Sequence, residues 1–378
     1  MTCLPALDSL CLDSSKPIIG RLKNKRIGLL TNHTGRAIDG TSALDILRRL
    51  GLNVTALFSP EHGPSGTLEG KVLSSTLDDL PVYSLYGETR QPTAEMLAEI
   101  DVFICDLQDV GARFYTYSST LALAMEACCE ANVKVIVLDR PNPLGGLNVV
   151  GPMRDAQHIS FVGHLDIPII HGMTMGELAL LHRADKQLDL DLEIVPVQNW
   201  QRDLLWPQLN LEWRTPSPNL PDFVSAAWYP GLCLLEFSGV SVGRGTEAPF
   251  QILGAPWMDP SKVLLPESLK STFDVEQIDF IPTRGKWENE SCKGLRFDSE
   301  NLPSPEKVVQ LGMALLATLH QTHPDEFDKI QMLNALKLLG SLQVLELLIN
   351  NQLEQAFAIA RNDAEHFRQK RQGFLIYD

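Results

Sequence analysis

The feature that most constrains this 378-residue chain is a set of strand-like runs with no polar side. RIGLLTN, NVTALFSPEHG, PVYSLYG, DVFICDLQD and VKVIVLDRPNP follow one another through the first 150 residues without strict polar and apolar alternation. A strand with no polar face has to be covered on both sides, which is the condition of a parallel sheet between two helical layers. Segments with helical spacing separate the runs: TSALDILRRLG, PTAEMLAEI and SSTLALAMEACCEA. In the first of these, Ser42 and Asp45 are available as capping groups and Gly51 as a stop. The alternation predicts an α/β protein built on a Rossmann-like doubly wound parallel sheet, over residues 20–150.

From residue 151 the pattern changes. Short turns, one helical stretch, the strand-like LEIVPVQNW, the proline-rich TPSPNLPDF and the glycine-rich VSVGRGTEAPF predict a second, smaller C-terminal α/β lobe over 151–378, ending in a helical tail. The length alone suits two domains. A formal net charge of −15 argues against binding a phosphate backbone, so no nucleic-acid partner is expected and any anionic ligand must meet local arginines. Seven cysteines without a C-x-x-C pair read as reduced, packed thiols. The N-terminus has no basic start followed by an apolar run, and no segment has the length of a membrane span. The sequence therefore reads as cytoplasmic, or as exported if a leader has been removed.

In open α/β sheets, ligands sit beyond the carboxyl ends of the strands, near the point where strand order reverses. Each run here ends in polar chemistry: Asn32 and His33; Glu61 and His62; Tyr86 and Glu88; Asp106, Gln108, Asp109 and Arg113; Asp139, Arg140 and Asn142. FSPEHG sets Glu61 on a short rigid turn, the placement of a catalytic acid. The loop DLQDVGARFYTYSST adds Tyr115, Thr116 and Tyr117, enough hydrogen-bonding and stacking capacity for a polyol. Its plainer reading is an Asp109–Arg113 pair with Ser118 or Ser119 capping a helix. Thr174 and Glu177 have capping-box spacing, which removes Glu177 from the list of acids and leaves His171 open. Arg244, flanked by glycines, can grip a carboxylate or form a salt bridge between lobes.

Several chemistries lose support because their motifs are missing. TNHTGR has one glycine where a dinucleotide fingerprint needs three, and no Walker motif occurs, so no cofactor is expected. His33, His62, His171, Asp106 and Asp139 could share one pocket, but no short-spaced ligand pair is present and no metal is expected. A nucleophile elbow is also missing.

The series GLLTNHTG, FSPEHG, LYGETRQPT, DLQDVGARFYTYSSTL, VLDRPNPLGG, IPIIHGMTMGELA, PSPNLP and YPG…VSVGRGT..PF..GAPW resembles the exo-acting β-N-acetylmuramidases of bacteria, formerly a domain of unknown function. The motifs occur in the family's order over roughly residues 20–260, with a weaker match at FRQKRQGFLIYD. The chain has FSG where the family usually has Thr-Asn before VSVGRGT. The resemblance implies a cleft between two lobes, release of N-acetylmuramic acid from the non-reducing end of peptidoglycan fragments, and Glu61 as the catalytic glutamate. A second carboxylate, Asp106 or Asp109, or the substrate's own acetamido group would complete the chemistry. Arg113, Arg140 or Arg244 would hold the lactyl carboxylate, and Asn219 of PSPNLP joins the binding residues. The competing readings are a metal-dependent hydrolase of another anionic small molecule and a non-catalytic muropeptide-binding protein.

Overall fold

The computed structural model describes residues 2–13, 15–66, 73–77, 79–298 and 302–378. Its main sheet has seven strands: β1 (Arg26–Thr31), β2 (Asn53–Ser59), β3 (Ser75–Leu77), β4 (Leu80–Ser84), β5 (Val102–Asp106), β6 (Lys134–Leu138) and β7 (Leu192–Val195). They lie in the order β3, β4, β2, β1, β5, β6, β7, with β3 antiparallel to β4 and the remaining neighbours parallel. Leaving out the β3 hairpin, the order is third, second, first, fourth, fifth, sixth. That is the doubly wound Rossmann order, and it reverses between β1 and β5. LEIVPVQNW, which the sequence pattern assigned to the second lobe, supplies β7 at the edge of this sheet, paired with β6.

Side-chain alternation explains why the strands carry no polar face. Ile27, Leu29, Ile104, Ile136 and Leu138 pack under α1 (Ala6–Leu12), α2 (Pro17–Leu22) and α3 (Ala43–Arg49). Leu30, Phe103, Cys105, Val135 and Val137 point the other way, toward α4 (Ala94–Leu97), α5 (Tyr117–Glu130) and α6 (Met175–Asp185). At β1, β5 and β6 both faces are dry, so both periods of these strands are apolar. Ser42 caps α3 by accepting the Asp45 N–H at 3.1 Å, and Gly51 ends the turn with φ +73°. The α6 capping box forms, with Glu177 accepting the Thr174 N–H at 3.1 Å while Thr174 Oγ1 accepts the Glu177 N–H.

The remainder begins with α7 (Phe223–Leu232) and continues through β8 (Ile252–Ala255), α8 (Glu267–Lys270), β9 (Asp274–Phe280) and β10 (Cys292–Asp298). A three-stranded antiparallel sheet forms with β10 in the middle. The chain ends in α9 (Pro305–Thr322), α10 (Lys329–Leu339), α11 (Leu342–Ile349) and α12 (Leu353–Lys370). α7 meets α9 through two glycines: a Cβ on Gly312 would stand 2.2 Å from the Gly231 carbonyl oxygen. The apolar core runs without a break from the α5 face of the sheet through α7 and α9 to α12. Among the described residues, no helix is long and apolar enough to cross a membrane.

Candidate active site

β2 delivers Pro60 and Glu61 to the carboxyl edge of the sheet, and the chain then turns through two consecutive left-handed residues, His62 at φ +70° and Gly63 at φ +69°. A histidine in that region costs on the order of 1–2 kcal/mol, which the surrounding fold has to offset. The turn packs tightly against β1, since a Cβ on Gly66 would overlap the His33 ring. His62 is itself buried.

Two hydroxyls hold Glu61. Thr116 Oγ1 donates to Glu61 Oε2 at 2.6 Å from the residue just before α5. Tyr86, at the end of β4, is hydrogen-bonded to Glu61 as well, and burial followed by the Glu61 charge raises its phenol above the ordinary value. The phenol thus stays protonated and donating at neutral pH. Arg90 lies over the Tyr86 ring at 3.8 Å and over Phe161 at 4.4 Å. Its side chain is exposed, and among the described residues it has no carboxylate partner. Tyr86 and Phe161 meet as a tilted ring pair with centroids 5.7 Å apart, and the Arg90 guanidinium sits in the corner they form.

The loop containing Asn219 closes over the end of β1. The Pro216 carbonyl accepts the hydroxyls of Tyr115 at 2.8 Å and Tyr117 at 3.0 Å, and Thr215 O accepts from His33 Nε2 at 2.7 Å. That bond puts the His33 proton on Nε2, and burial lowers the imidazole's pKa. Asn32 donates to the Tyr117 hydroxyl at 2.7 Å and accepts from Thr34. Burial raises the Tyr117 phenol, with the charges of Glu61 and Asp109 adding to the effect, so both acids lie near this ring. A cavity of about 230 Å³ adjoins His33 on the side of α3, lined by Asn32, His33, Ser42, Asp45, Ser59 and Pro64 among others but not by Glu61.

Asp109 and His171 face each other beneath the tyrosines, with His171 Nε2 3.5 Å from Asp109 Oδ2. His171 Nδ1 accepts the Met173 N–H at 3.2 Å, so the imidazole proton is on Nε2, toward the acid. Asp109 Oδ2 also accepts the Gly111 N–H at 2.7 Å, while Asp109 Oδ1 and His171 Nε2 lack hydrogen-bond partners. Buried polar atoms without a protein partner call for an explanation, of which a catalytic role is one.

Other residues expected at the site are occupied by the fold. Asp106 is fully buried and clamped by Arg140, whose Nε and Nη2 donate to its two oxygens at 2.5 and 3.0 Å. Asp139 caps α6, accepting Gly176 N–H at 2.8 Å, Thr174 Oγ1 at 2.6 Å and the Tyr377 hydroxyl at 2.5 Å. Asn142 bridges the Met173 carbonyl and the Leu144 N–H. Gln108 donates to the carbonyls of Asp109 and Pro141. Arg113 does not pair with Asp109. It is buried and donates to four carbonyls, those of Pro152, Ile167, Leu338 and Leu339. Arg244 pairs with Glu236 at 2.7 Å. Three guanidinium groups expected to meet a substrate carboxylate are thus held internally, whereas Arg90 of LYGETRQPT has no carboxylate partner among the described residues.

Fold and site together define an α/β protein that displays a carboxylate, Glu61, beyond the carboxyl ends of its parallel strands. Comparison with known proteins narrows that class: residues 27–224 match the N-terminal and residues 227–377 the C-terminal model of the exo-β-N-acetylmuramidase NamZ family. The chain belongs to this family of glycoside hydrolases. It is 37% identical over 383 residues to the peptidoglycan β-N-acetylmuramidase NamZ of Bacillus subtilis (strain 168), covering 98% of this chain and 90% of that protein. Two crystal structures of DUF1343 family proteins from Bacteroides fragilis NCTC 9343 share the fold, each at 32% identity. Their TM-scores are 0.88 and 0.80, and each match covers 100% of this chain and 99% of the other.

Proposed function

We propose that this protein is an exo-acting glycosidase that releases N-acetylmuramic acid from the non-reducing end of peptidoglycan fragments. The observation that carries the reading is Glu61, oriented by Thr116 and Tyr86 at the end of β2. Glycoside cleavage needs a carboxyl group to protonate the departing oxygen and to deprotonate the incoming water. Glu61 takes that role, with its two hydroxyl partners setting the direction from which the proton leaves. Arg90 holds the lactyl carboxylate, a guanidinium task for which its seat in the corner of the Tyr86 and Phe161 rings preorganises it.

For the second carboxylate we assign Asp109 in preference to Asp106. Asp106 has both oxygens committed to Arg140, whereas Asp109 keeps one oxygen without a partner beside His171. Asn32, His33, His62, Tyr115, Thr116, His171 and Asn219 form the surrounding shell. Arg113, Arg140, Asp139, Asn142, Gln108 and Arg244 support it from within the fold.

The test is the Glu61→Gln variant assayed with 4-nitrophenyl N-acetylmuramide and with the disaccharide of N-acetylmuramic acid and N-acetylglucosamine. The expected outcome is loss of 4-nitrophenol release and of free N-acetylmuramic acid, with muramyl ligand binding retained. Turnover near the parent value would remove Glu61 from the mechanism. A parent protein that binds the disaccharide yet yields no product would remove the enzymatic reading altogether.

A further inference from the structure

Beyond the strand-end site, three side chains distant in sequence converge on one point. Glu126 on α5, His164 in the loop before α6 and His182 on α6 offer one ligand atom each, all within 4.8 Å of one another. The two imidazole Nε2 atoms stand 2.9 and 3.0 Å from the same carboxylate oxygen, Glu126 Oε1. We propose that this cluster is a binding site for a divalent transition ion of the zinc class, with Glu126, His164 and His182 as its protein ligands. The inference does not rest on the muramidase reading.

The chemistry of the donors selects the ion. Two imidazoles and a carboxylate suit zinc and its neighbours, whereas magnesium and calcium prefer all-oxygen shells. Tetrahedral bonds of about 2.0–2.2 Å place ligand atoms roughly 3.3–3.5 Å apart. The two imidazole-to-carboxylate separations fall a few tenths of an ångström short of that, so small side-chain rotations admit the ion. His182 is buried and His164 nearly so, which fixes both rings, while Glu126 is more open. Beside the cluster lies a cavity of about 380 Å³ lined by both histidines and by Asp166, Asp185, Lys186 and Lys370. Asp166 and Asp185 are already paired to Lys370, at 3.6 and 2.7 Å, so the fourth position belongs to a water from the cavity.

The site is placed to matter. His164 follows Phe161 by three residues, and Phe161 stacks on Arg90 beside Glu61. Glu126 shares α5 with the residues that follow Thr116. A bound ion therefore clips the loop carrying Phe161 to α5 and α6.

The experiment is calorimetric titration of ZnCl₂ into the full chain after chelator treatment, in a Cys11→Ser background that removes the exposed thiol. One saturable site per chain is expected, with a melting temperature that rises with free zinc. His164→Gln and Glu126→Gln, both with melting in chelator like the parent's, should weaken binding by about tenfold or more, since a ligand matters at least as much as its supporting shell. X-ray absorption of the cobalt(II) form should give a nitrogen and oxygen shell with imidazole scattering. Absence of saturable uptake, unchanged affinity in both variants, or a sulfur-containing shell would each overturn the assignment.

Discussion

Replacing Arg113 separates a residue that binds substrate from one that holds the fold. Its guanidinium is buried and donates at 2.8–2.9 Å to the carbonyls of Pro152, Ile167, Leu338 and Leu339. The last two are the final carbonyls of α10, where the helix dipole presents partial negative charge to the cation. Burial draws its pKa down to about 9, still well above neutral, so the carbonyls face a charged group at pH 7. Arg113→Met leaves four acceptors in a dry site. Each hydrogen bond from a charged donor contributes about 1.5–3 kcal/mol net, and removal of the buried cation returns part of that sum. A net loss of about 3–5 kcal/mol is expected, by comparison with other broken buried charge sites. Arg113→Lys, with three donors and no planar fork, should recover only part of it. The assay is guanidinium-induced unfolding at pH 7 paired with kcat and KM below the onset of melting. Folded Arg113→Met should turn over muramyl substrate with parental KM. A variant as stable as the parent but with a greatly raised KM would show that the guanidinium meets the substrate and that the carbonyl cradle is incidental.

Further outcomes are expected elsewhere. Arg90→Gln should raise KM for a muramyl reporter by roughly 10- to 100-fold, the equivalent of one charge-assisted hydrogen bond pair, with a smaller change in kcat; steady-state kinetics checks this. Tyr86→Phe should lower kcat about tenfold or more, because Glu61 loses one of its two orienting donors. Burial raises the Asp139 pKa to about 6, so its protonated form favours the folded state. That contribution is fully present below the unfolded value near 3.8 and is lost as pH rises through about 6; it amounts to on the order of 3 kcal/mol. Asp139→Asn does not titrate, so the stability of the parent minus that of the variant should be larger at pH 4 than at pH 7, as unfolding curves at the two pH values would read. Gly312→Ala drives a Cβ to 2.2 Å from the Gly231 carbonyl oxygen and should destabilise by about 1–3 kcal/mol or more, visible as a lowered melting temperature.

The doubly wound sheet was legible because its cause is local: a strand buried on both faces has no polar period to show, and RIGLLT and VFICD display that directly. The edge strands were less so. β7 is half-buried, and its neighbour in the sheet, β6, lies more than fifty residues earlier, so nothing within LEIVPVQNW reveals to which lobe it belongs. At the site, the convergence of Glu61, Asn32, His33 and the DLQDVGARFYTYSST loop follows from strand-end geometry and could be anticipated. The engagement of each arginine could not. Arg113 is claimed by backbone carbonyls from separate segments, and a carbonyl carries no residue-type signal. Glu126, His164 and His182 are likewise invisible as a motif because their spacings match no local ligand pattern; only the packing of α5 against α6 brings them together.

The distribution of arginines bears on specificity. A chain with net charge −15 repels an anionic sugar at long range, so recognition must come from a short-range cation. Arg113 and Arg140 are desolvated and bonded internally, and Arg244 has its own acid in Glu236. Turning any of them toward a ligand would strand buried acceptors or an unpaired carboxylate, at a cost comparable to the gain. Arg90 has no carboxylate partner among the described residues: it lies against two rings and bonds the Tyr86 hydroxyl, which leaves its other N–H donors available to a carboxylate. An anion bound there lies next to Glu61. The same stacking that frees Arg90 thus ties the position of the anion to the position of Glu61, through Tyr86, which touches both.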